Sequence, residues 1–155
     1  MPSAQQRAFL EARRVGRLST IDGDGMPHVV PVCYALIENS IFVILDEKPK
    51  RVGARSLKRV RNILNNPRTA LVVDHYEDTD WERLGWVMAR GHAEIIEPGS
   101  EHAEALRELR RRYHQYRAMT LDQSPMIALR IQKIASWGRL DAKAPDIPDP
   151  DTQSR

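Results

Sequence analysis

The chain has 155 residues, 41% apolar and 29% charged, enough for one modest core and too short for two full domains. Its formal charge of +3 and pI near 9.2 are mild beside those of a dedicated nucleic-acid binder. No window approaches the roughly 18 consecutive apolar residues of a membrane span, the N-terminus is too polar for a signal peptide, and the lone Cys33 excludes an internal disulfide or multi-cysteine metal site. A cytoplasmic protein without a membrane, metal or nucleic-acid partner is expected.

In chain order, residues 3–14 read as a short helix and 15–21 as a strand running into Asp22-Gly23-Asp24-Gly25. That run predicts a two-residue hairpin turn, because glycine supplies positive φ and Asp tolerates the neighbouring position. The next strand, 27–36, sets Val30, Val32, Tyr34 and Leu36 on one face; a turn at Glu38-Asn39-Ser40 precedes a strand over 41–45. Three strands joined by tight turns predict an antiparallel meander. Over 55–65 the period becomes helical, with Leu57, Val60 and Leu64 as the expected core face. Strands follow at 69–75 and 86–96, the second alternating small and apolar residues against Met88, Arg90, His92 and Glu94, so that its other face meets solvent or a pocket. A helix over 100–117 with Ser100 as N-cap comes next. In the last strand, 126–137, Lys133 falls where an apolar residue is due, which predicts a bulge near Gln132. Six strands and two main helices predict a mainly β fold, an antiparallel barrel flanked by helices over 1–138, with a Pro/Asp-rich tail at 139–155.

The chain has no GxGxxG after a strand, no GxxxxGK[ST] and no HExxH, so Rossmann binding, P-loop hydrolysis and the common zinc-protease site lack support. The five histidines show no ligand spacing. Cys33 and His28, five residues apart on one predicted strand, fall on opposite faces, which leaves Cys33 as an ordinary half-buried thiol. Lys48, Lys50 and Arg51 lead into Arg55, Lys58, Arg59 and Asn62, the last four expected on one outward helix face. Donors gathered at a helix start suit a phosphate or other polyanion; a solvated basic face, or a dock for an acidic partner, would carry the same residues. Pro31 cannot donate to a ladder, so its strand is unpaired or at an edge there. An exposed edge suits a flat heteroaromatic ring. Trp81, Trp86 and Trp137 can stack on such a ring or fill a core or interface.

Several stretches resemble the pyridoxamine-phosphate-oxidase-like split barrels that bind FMN or coenzyme F420: Gly16-Arg17-Leu18-Ser19-Thr20, residues 25–32 with Val30-Pro31-Val32, Asp46-Glu47-Lys48-Pro49-Lys50, Asn66-Pro67-Arg68, and Val73-Asp74-His75-Tyr76. They are most similar to the short bacterial branch labelled F420-dependent. The resemblance implies a six-stranded split barrel and a homodimer with cofactor sites at the interface. It implies a coenzyme ring against Val30, Pro31 and Val32, with Trp137 also at the cofactor site. The phosphate would be held by Lys48, Lys50, Arg51, Lys58, Arg59 and Asn62. In FMN-binding relatives a Ser-Arg-Lys run holds that phosphate; counting back from Asn66, Arg59 stands in the Lys place, Lys58 in the Arg place and Leu57 in the Ser place. Charge is kept and the hydroxyl is lost, which favours F420 over FMN. The implied activity is hydride transfer between the coenzyme and a small organic substrate, with no catalytic side chain assigned and His28 or solvent as a proton source. Rivals from the same residues are an FMN enzyme, a non-enzymatic flavin or haem carrier of the same fold, and a nucleic-acid binder using the basic helices.

Overall fold

The computed structural model describes residues 1–45 and 57–141. The order is α1 (Ala4–Glu11), β1 (Gly16–Ile21), β2 (Pro27–Val32), β3 (Ala35–Ile37), β4 (Ser40–Ile44), α2 (Lys58–Asn65), β5 (Arg68–His75), a 3-10 turn (Trp81–Arg83), β6 (Gly85–Ile96), α3 (Ser100–Arg112), α4 (His114–Arg117) and β7 (Met126–Gly138). The strands form one curled antiparallel sheet in the order β2-β1-β5-β6-β7-β4-β3. This is the expected barrel with flanking helices, made of seven strands rather than six.

The extra strand arises because the segment 27–36 is not continuous. It breaks at Cys33-Tyr34, and its halves β2 and β3 lie at opposite ends of the sheet order, so the expected three-stranded meander is instead two separate hairpins. The break is held by side chains from the end of α3. Tyr34 N–H donates to Tyr113 Oη at 2.9 Å, and the Tyr34 carbonyl accepts from Arg112 Nε at 2.9 Å. Backbone groups satisfied this way need no ladder partner.

Inside the curl, Leu18, Val32, Tyr34, Leu71, Val73, Val87, Ile127 and Leu129 form the main core, closed by Phe9 and Leu10 of α1 and by Val60 and Ile63 of α2. A second cluster joins the outer side of β3, β4 and β7 to α3 and α4 through Ala35, Phe42, Ile44, Leu106, Leu109 and Tyr116. Strand β4 is therefore buried on both faces. No helix element packs on the outer face of β2, β1 and β5 among the described residues, where Arg17, Val29, Pro31 and Arg68 are exposed.

Local chemistry sets the remaining boundaries. Ser3 Oγ accepts from Gln6 N–H while Gln6 Oε1 accepts from Ser3 N–H, a capping box that starts α1. The β1/β2 connection is a five-residue loop, not the two-residue turn. Asp22 Oδ1 accepts from the N–H groups of Asp24 and Met26, and Gly25 takes φ of 80°, where a side chain would be strained. The predicted single helix over 100–117 breaks at Tyr113, and Gly99, not Ser100, is its N-cap. The bulge is where the sequence places it: Arg90 pairs with Lys133 and Gly91 with Ile131, leaving Gln132 as the extra residue. Gly91 is required there because a Cβ would stand 1.8 Å from the Arg130 carbonyl oxygen.

Candidate functional site

Two neighbouring features follow from the β1/β2 hairpin. Strand β2 ends the sheet and pairs only with β1, so the edge carrying Pro31 has no ladder partner among the described residues. Alternation puts Val29 and Pro31 outward, with Val30 half-buried and Val32 buried in the main core. The expectation of an edge position for Pro31 holds.

Helix α2 packs across the adjoining end of β1. The buried Asn62 donates from Nδ2 to Thr20 Oγ1 at 3.0 Å. That bond decides the rotation of the helix. Val60 and Ile63 are buried, whereas Leu64, expected inside, is 70% exposed. Asn62 is therefore a structural tie on the inner side, and its expected place on the outward face with Lys58 and Arg59 is corrected. Lys58 is exposed and lies 3.7 Å from Asp22 Oδ2; the Met26 and Asp24 amides, with Lys58, hold the Asp22 carboxyl below its usual range. Arg59 is half-buried. Leu57 at the helix start makes no side-chain cap bond and the first turn has no acidic residue, so the positive end of the helix dipole adds to the field of Lys58 and Arg59. A cavity of about 340 Å³ opens here, lined by Asp22, Gly23, Lys58, Arg61, Asn62 and Asn65. Lys48, Lys50 and Arg51 lie outside the described residues.

Trp137 is not brought to this cluster within one chain. It pairs with Trp86 at the far end of β6/β7 and is 55% exposed. Five ladder positions separate that pair from Gly91, roughly 17 Å at about 3.4 Å per residue.

A feature not read from the sequence lies on the outer face of the sheet. Register aligns Val29, Ser19, Ala70, Arg90 and Lys133 side by side across five strands, with Arg68 opposite His92 in the next row. Ser19, Ala70, Arg90, Lys133, Arg68 and His92, together with Gln132, border a groove of about 380 Å³. The outward polar positions of β6 were visible as a pattern; their neighbours on β5 and β7 depend on register, which no local motif states.

The pyridoxamine 5'-phosphate oxidase family model matches residues 2–138. A 5a,11a-dehydrotetracycline/5a,11a-dehydrooxytetracycline reductase of Streptomyces rimosus is 31% identical over 139 residues, covering 89% of this chain and 84% of that protein. Among solved structures, a haem-binding protein from Mycobacterium smegmatis superposes with a TM-score of 0.69 at 21% identity, over 92% of this chain and 57% of the other. An FAD-binding protein from Mesorhizobium loti does so at 0.62 and 23%, over 86% and 93%. Barrel topology, the proline-bearing edge strand and a match spanning nearly the whole chain agree: this chain belongs to the pyridoxamine 5'-phosphate oxidase family.

Proposed function

We propose that the protein is an oxidoreductase that works with coenzyme F420 on a small organic substrate, as a homodimer with the coenzyme at the subunit junction. The observation that carries this reading is the cationic, uncapped start of α2 beside the hairpin that bears Pro31. The similarity to a reductase over most of both chains supports the reaction class. Bound there, the coenzyme would supply the hydride chemistry. Lys58 and Arg59 would hold its phosphate by charge and hydrogen bonds, with Lys48, Lys50 and Arg51 extending the cradle along its acidic tail. Val30, Pro31 and Val32 would fix the plane of the ring. Trp137, remote from α2 in its own chain, would reach a coenzyme only near the other end of the sheet or across the dimer.

FMN is the alternative coenzyme, and the residue in the place of the relatives' phosphate-binding serine argues against it. Leu57 is half-buried against the main core and offers no hydroxyl. No side chain is assigned as acid or base. His28, opposite Thr20 on β2, has a buried Nδ1 with no hydrogen-bond partner among the described residues, beside the hairpin where the coenzyme is proposed to bind.

Fluorescence titration of the purified protein with F420 and with FMN tests the reading. F420 is expected to bind more tightly, and Lys58→Ala with Arg59→Ala to weaken it about tenfold or more, since each charged contact contributes roughly a factor of ten, with an unchanged far-ultraviolet spectrum. Binding of neither coenzyme, or an unaltered affinity in the folded double variant, overturns it.

A further inference from the structure

The outer sheet carries a charge arrangement that strand packing alone disfavours. Arg90 stands directly opposite Lys133 on β7, and in the adjoining row Arg68 stands opposite His92. Cross-strand neighbours on one face lie about 5 Å apart at Cβ, so the like charges of Arg90 and Lys133 repel. Elsewhere on the same surface the arginines are neutralised. Arg17 binds Asp74 at 2.7 Å, and Arg130 binds both Glu94 and Glu101 at 2.5 Å. Arg68, Arg90 and Lys133 have no ion pair with any described residue, and among the described residues no carboxylate lines the groove they border. The carboxylates on that flank are already engaged by Arg130.

The groove has the form of a site rather than a flat cationic surface. Its volume of about 380 Å³ lies within the roughly 300–1,000 Å³ usual for small-molecule pockets. Its floor carries the apolar Ile21 and Ala70, and Ser19 and Gln132 add neutral polar groups at its sides. The bulge brings Gln132 into this lining beside Lys133, and bulges are enriched where a strand must re-aim a side chain. Local choices that oppose stability mark functional positions when nothing in the fold compensates them.

We propose that this groove binds a small molecule through a dianionic group, a phosphate monoester or a dicarboxylate, gripped between Arg90 and Lys133 with Arg68 as the third cation. A planar guanidinium suits bidentate contact with either oxyanion, and the adjacent ammonium adds a point charge. The groove and the α2 cradle share no lining residue, and the proposal does not depend on which coenzyme the protein uses.

Thermal shift and calorimetric titration of the coenzyme-free full-length protein, in low-salt buffer, decide the matter with inorganic phosphate and succinate as probes. At least one should raise the melting temperature by binding the folded state; which one does so separates phosphate esters from dicarboxylates. Arg90→Gln and Lys133→Gln should each weaken that probe about tenfold, as loss of a charged contact does, and each should melt higher than wild type without the probe because the repulsion is relieved. Arg107→Gln, exposed on α3, should change neither. Three results would overturn the proposal: no effect of either probe, stabilisation of Arg90→Gln and Lys133→Gln by the probe equal to that of wild type, or loss of self-association in either variant, which would show that these cations meet a second copy.

Discussion

Arg112 offers the most direct test of how the barrel is held at its strand break. Its side chain is buried, and its guanidinium donates from Nε to the Tyr34 carbonyl at 2.9 Å, from one terminal nitrogen to Glu11 O at 2.8 Å, and from the other to Arg13 O at 2.7 Å. One cation thus joins the end of α3 to the end of α1 and to the β2–β3 junction. Arg112→Met keeps most of the packed stem and removes all three bonds. At about 1.5 kcal/mol for each bond from a charged donor, the loss is about 4.5 kcal/mol, a large part of the roughly 5–15 kcal/mol that stabilises a domain. In urea, with a slope of about 2 kcal/mol per molar, the midpoint should fall by about 2 M without a change in slope. Arg112→Lys should recover less than half, because one ammonium cannot reach three carbonyls in the geometry of the fork. A loss below about 1 kcal/mol for the Met variant, read from tryptophan fluorescence, would show that the Tyr113 hydroxyl, which also donates toward the Tyr34 and Arg14 carbonyls, suffices to hold the break.

Gly91→Ala should destabilise by about 3 kcal/mol or prevent folding, since the new methyl would press on the Arg130 backbone and overpacking of this kind costs about that much; a melting temperature near wild type would contradict the assigned bulge. Asn62→Ala removes the tie to Thr20 and should cost about 1–2 kcal/mol, measurable by urea unfolding, as for a buried polar partner left unpaired. Burial, then the nearby charge of Arg13, holds the His75 imidazole below its ordinary value, with Arg83 acting in the same direction and Glu77 and Asp74 against it. The unfolded chain therefore binds a proton that the folded one resists, and stability falls as pH drops below about 6.5, the usual imidazole value. His75→Asn should flatten the acid side of a stability profile; an unchanged slope would show that His75 is not the group responsible.

Much of the architecture was legible because it is local. Alternation in 86–96 and 126–137 marked two long strands, Lys133 out of phase marked the bulge, and Pro31 marked a sheet edge. Helix α2 was legible as an element but not in its rotation. Apolar spacing favoured Leu64 as a core residue, and the buried Asn62–Thr20 bond, which joins residues 42 positions apart, turned it outward.

By itself the amino-acid sequence determined the element types, the family resemblance and the cationic character of the segment before Asn66, because periodicity, turn chemistry and charge are properties of neighbours along a chain. The tertiary structure decided that one apparent strand is two, since Tyr34 spends its backbone bonds on Arg112 and Tyr113, some 80 residues away. It also decided which cations face one another. Arg68, Arg90 and Lys133 are separate in sequence and meet only through the register of β5, β6 and β7, which is set by the burial of the opposite face of each strand.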